Sequence, residues 1–104
     1  MLVTDYSSLA MDFGLIGRPV FYYQFPENPG FFGSSLFCPG YFTYARDGFG
    51  PVLDKPEELM ESIRLCLERG GTREAIYEQR AWDFFTLRDG QNCSRVFEAI
   101  LSRS

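Results

Sequence analysis

The sequence contains no histidine. Histidine is the commonest general base near neutral pH and the commonest metal ligand, so its absence excludes Ser-His catalysis, Cys-His catalysis and histidine-ligated zinc within this chain. The carboxylates that remain show no recognisable metal-binding spacing. We therefore expect neither a metal site nor a cofactor.

Positive charge and long apolar runs are also scarce. The formal net charge is −4, which argues against sequence-independent binding of nucleic acid. No apolar run reaches the roughly 18 residues that a membrane-spanning helix needs, and no basic segment of a signal peptide precedes the first strand. The three cysteines, Cys38, Cys66 and Cys93, form no C-x-x-C pair, which indicates reduced thiols in a cytosolic protein.

Aromatic residues are abundant, at 17% of the chain. Many lie between Phe21 and Phe49, in a stretch too irregular for one regular element. Aromatic residues crowded into a loop indicate that the loop packs against something. Together with an unpaired sheet edge, this loop leads us to expect self-association of the isolated chain, with residues 31–44 contributing.

Alternating strand and helix patterns predict an α/β fold with a parallel sheet and right-handed crossovers. The predicted order is a buried strand at 2–4, a helix at 9–17, a strand at 19–23, a loop at 26–50, a strand at 50–53 and three helices, of which the first is capped by Asp54, the second begins at Thr72 and the third is capped by Asn92. Gly17 is expected to end the helix at 9–17, and Gly70 and Gly71 are expected to end the helix that follows Asp54. The side chains expected to face inward are Leu9, Phe13 and Ile16, then Leu59, Ile63, Cys66 and Leu67, and finally Val96, Phe97, Ile100 and Leu101. About three strands and four helices correspond to the C-terminal half of a doubly wound, Rossmann-like domain, so residues 1–104 are interpreted as a single partial domain.

Residues 4–8 (TDYSS) follow the first strand and open the first helix. The first N–H groups of a helix have no partner within it and attract anions, and Ser7 and Ser8 add two hydroxyl groups. In parallel sheets, ligands bind beyond the carboxyl ends of the strands, where this turn would lie. The pattern predicts a phosphate site, and the alternative is that Asp5 and the serines only cap the helix.

Several segments together resemble the C-terminal lobe of the CDP-glycerol glycerophosphotransferases, bacterial enzymes of teichoic acid and capsule synthesis. These segments are LVTDYSS at 2–8, DF at 12–13, RPVFY at 18–22, GYF at 40–42, RDGFGPV at 46–52, PEEL at 56–59, DG at 89–90 and SRV at 94–96. The resemblance implies a two-lobed GT-B enzyme that is peripheral at the cytoplasmic face of the membrane. Such an enzyme moves glycerol phosphate, or a related polyol phosphate, from a CDP-polyol donor to a lipid-linked acceptor.

The resemblance further implies that this chain is a fragment of the donor-nucleotide-binding lobe. Ser7 and Ser8 become predicted contacts of the donor phosphates, and Asp5 is expected to orient the turn, because a carboxylate repels phosphate. Arg46 and Arg95 are candidates because a guanidinium fork fits phosphate, although a solvated or ion-paired surface arginine is the alternative.

No catalytic residue is expected in this chain, since the family's catalytic histidines precede the matching segment. The isolated chain is therefore expected to be inactive in transfer, with the acceptor held by the missing lobe. Two other functions remain open: a fragment of a sugar-nucleotide glycosyltransferase that uses UDP or GDP, and a non-catalytic interaction module. Titration with CDP, CMP, UDP and GDP would separate these hypotheses.

Overall fold

The computed structural model describes residues 1–24 and 40–104. The strands are β1 (Leu2–Thr4), β2 (Val20–Tyr23) and β3 (Val52–Leu53). The described helices are α1 (Leu9–Leu15), α2 (Tyr44–Asp47), α3 (Pro56–Glu68), α4 (Ala75–Phe84) and α5 (Asn92–Ser102). All three strands are parallel, in the order β1-β2-β3. The predicted α/β class with a parallel, Rossmann-like sheet is thereby confirmed. The described residues contain five helices rather than the predicted four, because α2 interrupts the stretch predicted as a loop.

The central strand β2 pairs with both neighbours, and its first three residues are buried. Strand β1 lies at an edge of the described sheet, where Val3 is 45% exposed. The predicted strand at 2–4 is confirmed, but its predicted burial is wrong, because among the described residues β1 pairs on one side only and Val3 is exposed. Among the described residues, no helix is both long and apolar enough to cross a membrane.

One face of the sheet carries the main hydrophobic cluster, here called the sheet core. Its buried members are Ala10, Val20, Tyr22, Phe49 and Ala81. Helix α1 contributes small residues to it, because a Cβ at Gly14 would lie 2.7 Å from the Phe49 ring. The predicted stripe of α1 is wrong for Leu9 and Ile16, which are exposed, since the close approach of the Phe49 ring requires the Ala10 and Gly14 side of the helix.

The other face of the sheet carries Phe21, because successive side chains of a strand alternate between faces. Phe21 lines a cavity of about 80 Å³ together with Leu65 and Cys66 of α3. Cys66 is buried as predicted, whereas Leu67, predicted to face inward, is 60% exposed. The Cys66 and Cys93 thiols are free, and Cys38 lies outside the described residues.

The glycines correctly predict where helices end, whereas the expected capping residue does not predict where α3 begins. Gly17 and Gly70 have φ of 79° and 81° and follow the C-cap residues of α1 and α3, which confirms them as helix stops, since glycine adopts this conformation without strain. Helix α3 begins at Pro56 with Lys55 before it and no side-chain cap. The predicted Asp54 cap is wrong, because proline is already preorganised for the first helical position.

Two further boundaries also differ from the sequence-based expectation. Helix α4 begins at Ala75 rather than Thr72, whose hydroxyl donates instead to the Arg69 carbonyl oxygen at 3.1 Å. Helix α5 begins at Asn92, with Gln91 and not Asn92 in the cap position. Both shifts are within the two to four residues by which helix boundaries read from a sequence commonly differ.

Helix α5 presents an uncovered apolar surface, here called the α5 face. It consists of Val96, Phe97, Ile100 and Leu101, which are between 56% and 62% exposed. The prediction that these residues face inward is wrong, because α5 has no extensive contact with another helix or strand of the described chain. The amphipathic pattern identified an apolar surface without indicating what covers it.

Candidate functional site

The segment after β1, residues 5–8, forms a turn at the carboxyl edge of the sheet, here called the serine turn. The Asp5 carboxylate accepts a hydrogen bond from the Tyr6 N–H at 2.6 Å. The Gln24 side-chain amide donates to the Asp5 carbonyl oxygen at 3.2 Å, and the Gln24 N–H donates to the Leu53 carbonyl oxygen at 2.8 Å. These bonds join the carboxyl ends of all three strands and position the turn.

The two serines mark the beginning of α1, as predicted. The Ser7 hydroxyl oxygen accepts a hydrogen bond from the Leu9 N–H at 3.1 Å, and the Ser8 carbonyl oxygen accepts one from the Met11 N–H at 2.9 Å. Within residues 1–24 and 40–104, the Ser8 hydroxyl and the N–H groups of Ser7 and Ser8 have no hydrogen-bond partner. Both serines are exposed, so three donors are available to a ligand, and the Ser7 hydroxyl can donate as a fourth.

An open pocket of about 280 Å³, here called the turn pocket, borders the serine turn. Its walls are made of α1, the end of β2 and the segment 40–44. The serines and five aromatic residues line it: Ser7, Ser8, Tyr6, Tyr22, Tyr41, Phe42 and Tyr44. A pocket with hydroxyl and amide donors on one side and aromatic rings on the other suits a ligand with an anionic part and a flat or apolar part.

The short helix α2 forms the far wall of this pocket and is held locally. The Asp47 carboxylate accepts a hydrogen bond from the Thr43 N–H at 2.8 Å, which satisfies a free donor at the helix start. Glycine is required behind α2, because a Cβ at Gly48 would lie 2.3 Å from the Tyr44 carbonyl oxygen and 2.9 Å from the Tyr22 ring. Helix α2 therefore sits directly against the central strand.

Tyr44 and Tyr22 connect this wall to the rest of the site. The Tyr44 hydroxyl donates to the Tyr6 carbonyl oxygen at 3.2 Å, and the Tyr22 hydroxyl accepts from the Phe49 N–H at 3.3 Å. The two rings meet edge to face, with centroids 5.1 Å apart. Burial raises the pKa of both hydroxyl groups above the ordinary value of 10.0, so both remain protonated at neutral pH.

Arg46 lies beside the turn pocket and not inside it. Its Nη2 donates to the Tyr41 carbonyl oxygen at 2.5 Å and to the Asp47 carboxylate at 2.7 Å, while the side chain is 67% exposed. The hydrogen bonds from Arg46, followed by the one from Thr43, lower the pKa of Asp47 from 3.8 to about 2. The guanidinium is thus paired with a carboxylate and braces the Tyr41 backbone at the rim.

Asp5 and Arg95 are placed differently from the serines. The Asp5 carboxylate faces the Tyr6 N–H and does not line the pocket. Arg95 lies on α5, where it pairs with the Asp89 carboxylate and donates to Asn92 Oδ1 at 2.9 Å. The hydrogen bond from Arg95 lowers the pKa of Asp89. Of the five predicted phosphate residues, the structure therefore brings only Ser7 and Ser8 to the pocket surface.

The aromatic wall of the pocket was not predicted as part of the site. Tyr41, Phe42 and Tyr44 lie in the stretch predicted as a long loop that packs against something, and Phe42 and Tyr44 do pack on the sheet core. These residues line the pocket because the segment 40–44 lies beside Tyr22 of β2. The signal in the sequence was Gly48 and Gly50 flanking Phe49, a spacing that permits close backbone approach.

Comparisons with known proteins agree with the resemblance. The family model described as CDP-Glycerol:Poly(glycerophosphate) glycerophosphotransferase matches residues 1–102. The minor teichoic acid biosynthesis protein GgaB of Bacillus subtilis (strain 168) is 33% identical over 101 residues, which are 97% of this chain and 11% of that protein. A teichoic acid glycerol-phosphate transferase of Staphylococcus aureus (strain NCTC 8325 / PS 47) is 29% identical over 103 residues, or 95% of this chain and 25% of that protein.

The chain thus spans a quarter or less of the length of these two curated relatives. No solved structure matches it significantly. The family match extends from β1 through α5, so it includes the strand, the serine turn and the described pocket wall. The chain belongs to the CDP-glycerol:poly(glycerophosphate) glycerophosphotransferase family.

Proposed function

We propose that this chain is part of the donor-binding lobe of a glycerophosphotransferase that acts in teichoic acid or related cell-surface polymer synthesis. In this proposal the donor is CDP-glycerol or a related CDP-polyol, and its pyrophosphate lies against the serine turn. The observation that carries the proposal is the pair of exposed serines at the start of α1, whose free donors border an open pocket. Family membership makes a nucleotide with a pyrophosphate the natural ligand class.

The chemistry of the serine turn supports an anion. The N–H groups of Ser7 and Ser8 and the Ser8 hydroxyl are unpaired among the described residues, and hydrogen bonds to a charged acceptor are about twice as strong as neutral ones. Asp5 assists without touching the ligand, because its carboxylate is turned toward the Tyr6 N–H. This arrangement keeps a negative side chain from facing the phosphates.

Arg46 and Arg95 are proposed to contribute less to donor binding than the two serines. Arg46 braces the rim through the Tyr41 carbonyl oxygen, and its Nε and Nη2 atoms are bonded to the Asp47 carboxylate. Arg95 is paired on α5, so its phosphate role remains a prediction without geometric support. Removing Arg46 is therefore expected to weaken donor binding less than removing the Ser8 hydroxyl.

The reaction itself requires groups that this chain does not have. A hydroxyl acceptor must be deprotonated and held in line with the phosphorus, and the chain contains no histidine. We propose that the base and the binding site for the lipid-linked acceptor belong to other parts of a longer GT-B enzyme, peripheral at the inner face of the membrane. The curated relatives, which are much longer than this chain, allow such parts.

Calorimetric titration of the purified chain with CDP, CMP, UDP and GDP tests the proposal. We expect CDP to bind best, and Ser8→Ala to weaken its binding by about 1–2 kcal/mol, or about 5- to 30-fold. Ser94→Ala is the matched control, because Ser94 is an exposed serine in the first turn of α5 and outside the pocket. Equal affinity of the Ser8→Ala and unmodified chains would contradict the role of the serine turn.

A second candidate, a non-catalytic interaction module, is favoured by the α5 face. Four large apolar side chains on one helix are exposed, and such contiguous surfaces commonly mark interaction sites. The same titration separates the candidates, since an interaction module binds none of the four nucleotides. Preference for UDP or GDP would instead support the sugar-nucleotide glycosyltransferase alternative.

A further inference from the structure

We propose that an open pocket beside α2, here called the arginine pocket, binds a polyol phosphate group. The pocket has a volume of about 250 Å³, and its walls are made of Arg46, Asp47, Arg80, Asp83 and Phe84. Helix α2 contributes side chains to both the turn pocket and the arginine pocket, so the two pockets are neighbours. The choice of ligand class rests on the function proposed above, whereas the anion-binding chemistry rests on the residues of the arginine pocket itself.

The feature that points to an anion is Arg80 of α4, which is held in place and yet carries an unpaired charge. Its Nη1 donates to the Gly48 carbonyl oxygen at 3.1 Å, and its guanidinium lies over the Tyr77 ring, 5.3 Å from the centroid. Across residues 1–24 and 40–104, no carboxylate forms an ion pair with Arg80, and its Nε and Nη2 have no hydrogen-bond partner. A positioned guanidinium with free donors is well suited to bind a phosphate oxygen.

Arg46 of α2 adds a second guanidinium to the pocket and neutralises one of its two carboxylates. The Nε and Nη2 of Arg46 bond to the Asp47 carboxylate, while its Nη1 has no partner in the parts of the chain that the structure describes. The bonds from Arg46 and from the Thr43 N–H lower the pKa of Asp47, and the charge of Arg80 lowers it further without a bond. Asp47 therefore does not occupy Arg80, and two helices supply free N–H donors to the pocket.

Asp83 is the second carboxylate of the pocket, and it indicates that the ligand carries a hydroxyl group as well as a phosphate. Its Oδ1 accepts a hydrogen bond from Gln79 Nε2 at 2.9 Å, whereas its Oδ2 has no partner among the described residues. An ionised carboxylate only accepts hydrogen bonds, so it repels a bare phosphate and binds a hydroxyl. A free guanidinium and a free carboxylate oxygen in one pocket therefore match a phosphate ester with a nearby hydroxyl, which is the chemistry of a polyol phosphate.

The first experiment titrates the full chain with glycerol 3-phosphate and follows the backbone amide NMR signals of Asp83 and Phe84. We expect Arg80→Gln to weaken binding at these signals about tenfold or more, the effect of losing hydrogen bonds between charged groups. Arg18→Gln is the matched control, because Arg18 is exposed, lies outside the pocket and has no ion pair within the described chain. Equal affinities of the unmodified and Arg80→Gln chains, or equal losses in the two variants, would overturn the proposal.

The Arg80 Nε–H signal of the unmodified chain gives an answer that does not depend on how a variant folds. Glycerol 3-phosphate should shift this signal, and the Arg18 Nε–H signal should stay in place. Ser8→Ala should leave the shift at Arg80 unchanged, because Ser8 lines the turn pocket and not the arginine pocket. No shift at Arg80 in the unmodified chain would overturn the proposal.

Inorganic phosphate tests the role of Asp83 as the acceptor of a hydroxyl group. The unmodified chain should bind glycerol 3-phosphate more tightly than inorganic phosphate. Asp83→Asn should reduce this preference about threefold or more, because it removes both the repulsion of the bare phosphate and the charged acceptor of the hydroxyl. An unchanged preference in Asp83→Asn would mean a general anion site only and would overturn the assignment of a polyol phosphate.

Two molecules of the proposed reaction carry this group, namely the CDP-glycerol donor and the poly(glycerophosphate) acceptor. A larger loss for CDP-glycerol than for CDP in Arg80→Gln would place the glycerol phosphate end of the donor in the arginine pocket. A loss for glycerophosphoglycerol, a short stand-in for the polymer, with equal losses for CDP and CDP-glycerol would place a polymer unit there. No loss for either would overturn the proposal. If the chain binds no CDP, the proposed function fails, and the titration with glycerol 3-phosphate still decides whether the arginine pocket is a site.

Discussion

The sheet core and the α5 face both consist of large apolar side chains, but only the sheet core buries them. Phe49 is 0% exposed and is surrounded by the rings of Phe42, Phe84 and Phe85, whereas Phe97 on α5 is 61% exposed. The local sequence of α5 is the more regular of the two, with apolar residues at helical spacing. A clear amphipathic pattern therefore shows that a surface is apolar, while burial depends on whether another element lies opposite it.

The largest expected loss of stability concerns Gly50, which lies next to Phe49 of the sheet core. A Cβ at this position would lie 1.6 Å from the Val20 carbonyl oxygen, and neither backbone can move without breaking the pairing of β2. We expect Gly50→Ala to lower the free energy of unfolding by more than about 4 kcal/mol, in the upper tail of single substitutions. Urea denaturation followed by circular dichroism measures this change.

Gly40→Ala is the control for that experiment, because no atom of residues 1–24 or 40–104 lies within 4 Å of a Cβ at Gly40. Its unfolding free energy should stay within about 0.5 kcal/mol of the unmodified chain. If Gly50→Ala and Gly40→Ala unfold at the same urea concentration, Gly50 does not lie as close to the Val20 carbonyl oxygen of β2 as the structure shows.

A pair of phenylalanine truncations tests the comparison directly. Phe49→Ala removes a fully buried ring from the sheet core and should cost about 3–5 kcal/mol of unfolding free energy. Phe97→Ala removes an exposed ring and should change it by no more than about 0.5 kcal/mol. A large loss of stability in a monomeric Phe97→Ala chain would show that the α5 face is covered within the chain itself.

Sedimentation experiments test whether the α5 face binds a second copy of the chain. We expect the chain to associate with rising concentration in sedimentation experiments, and Phe97→Glu to weaken this association about tenfold or more, since burial of a Phe side chain contributes about 1.5–3 kcal/mol. Ser94→Glu, on the same helix, adds the same charge outside the α5 face and serves as the control. Equal effects of the two variants would exclude the α5 face as the contact surface.

The smallest expected effect concerns the Arg46–Asp47 ion pair of α2. Because the pKa of Asp47 is lowered from 3.8 to about 2, its contribution to stability is present above pH 3.8 and is lost as the pH falls through about 2. Carboxyl-carbon NMR should give an Asp47 midpoint near 2, and Arg46→Ala should move it toward 3.8. A midpoint near 3.8 in the unmodified chain would show that the Arg46 contact does not persist in solution.

Much of the fold was predictable because it depends on local signals. The apolar runs of β1 and β2, the glycine stops at Gly17 and Gly70, and the position of Ser7 and Ser8 at the start of α1 all agree with the structure. The α1 stripe was not predictable, since the Leu9 and Ile16 pattern is overridden by the need for small residues beneath the Phe49 ring. The helix start at Pro56 differed because α3 has no side-chain cap, and the start at Ala75 differed because the Thr72 hydroxyl bonds back to the Arg69 carbonyl oxygen.

In the candidate site, too, some features were predictable from the sequence and others were not. Ser7 and Ser8 were identified from a strand, turn and helix in sequence, and family membership followed from motifs along nearly the whole chain. The phosphate roles of Asp5, Arg46 and Arg95 remain predictions, and the contacts of the two arginines with Asp47 and Asp89 could not be read from spacing alone.

The sequence by itself determined the α/β class, the parallel sheet, the succession of strands and helices, the family and the place of the serine turn. Each of these depends on neighbouring residues or on motifs that follow one another in order along the chain. Only the tertiary structure decided that Tyr44 of α2 reaches the Tyr6 carbonyl oxygen, that Gly14 and Gly50 admit close neighbours, and that the α5 face is left uncovered. These features depend on which distant segments meet, and a hydrophobic pattern specifies an apolar surface without specifying its partner.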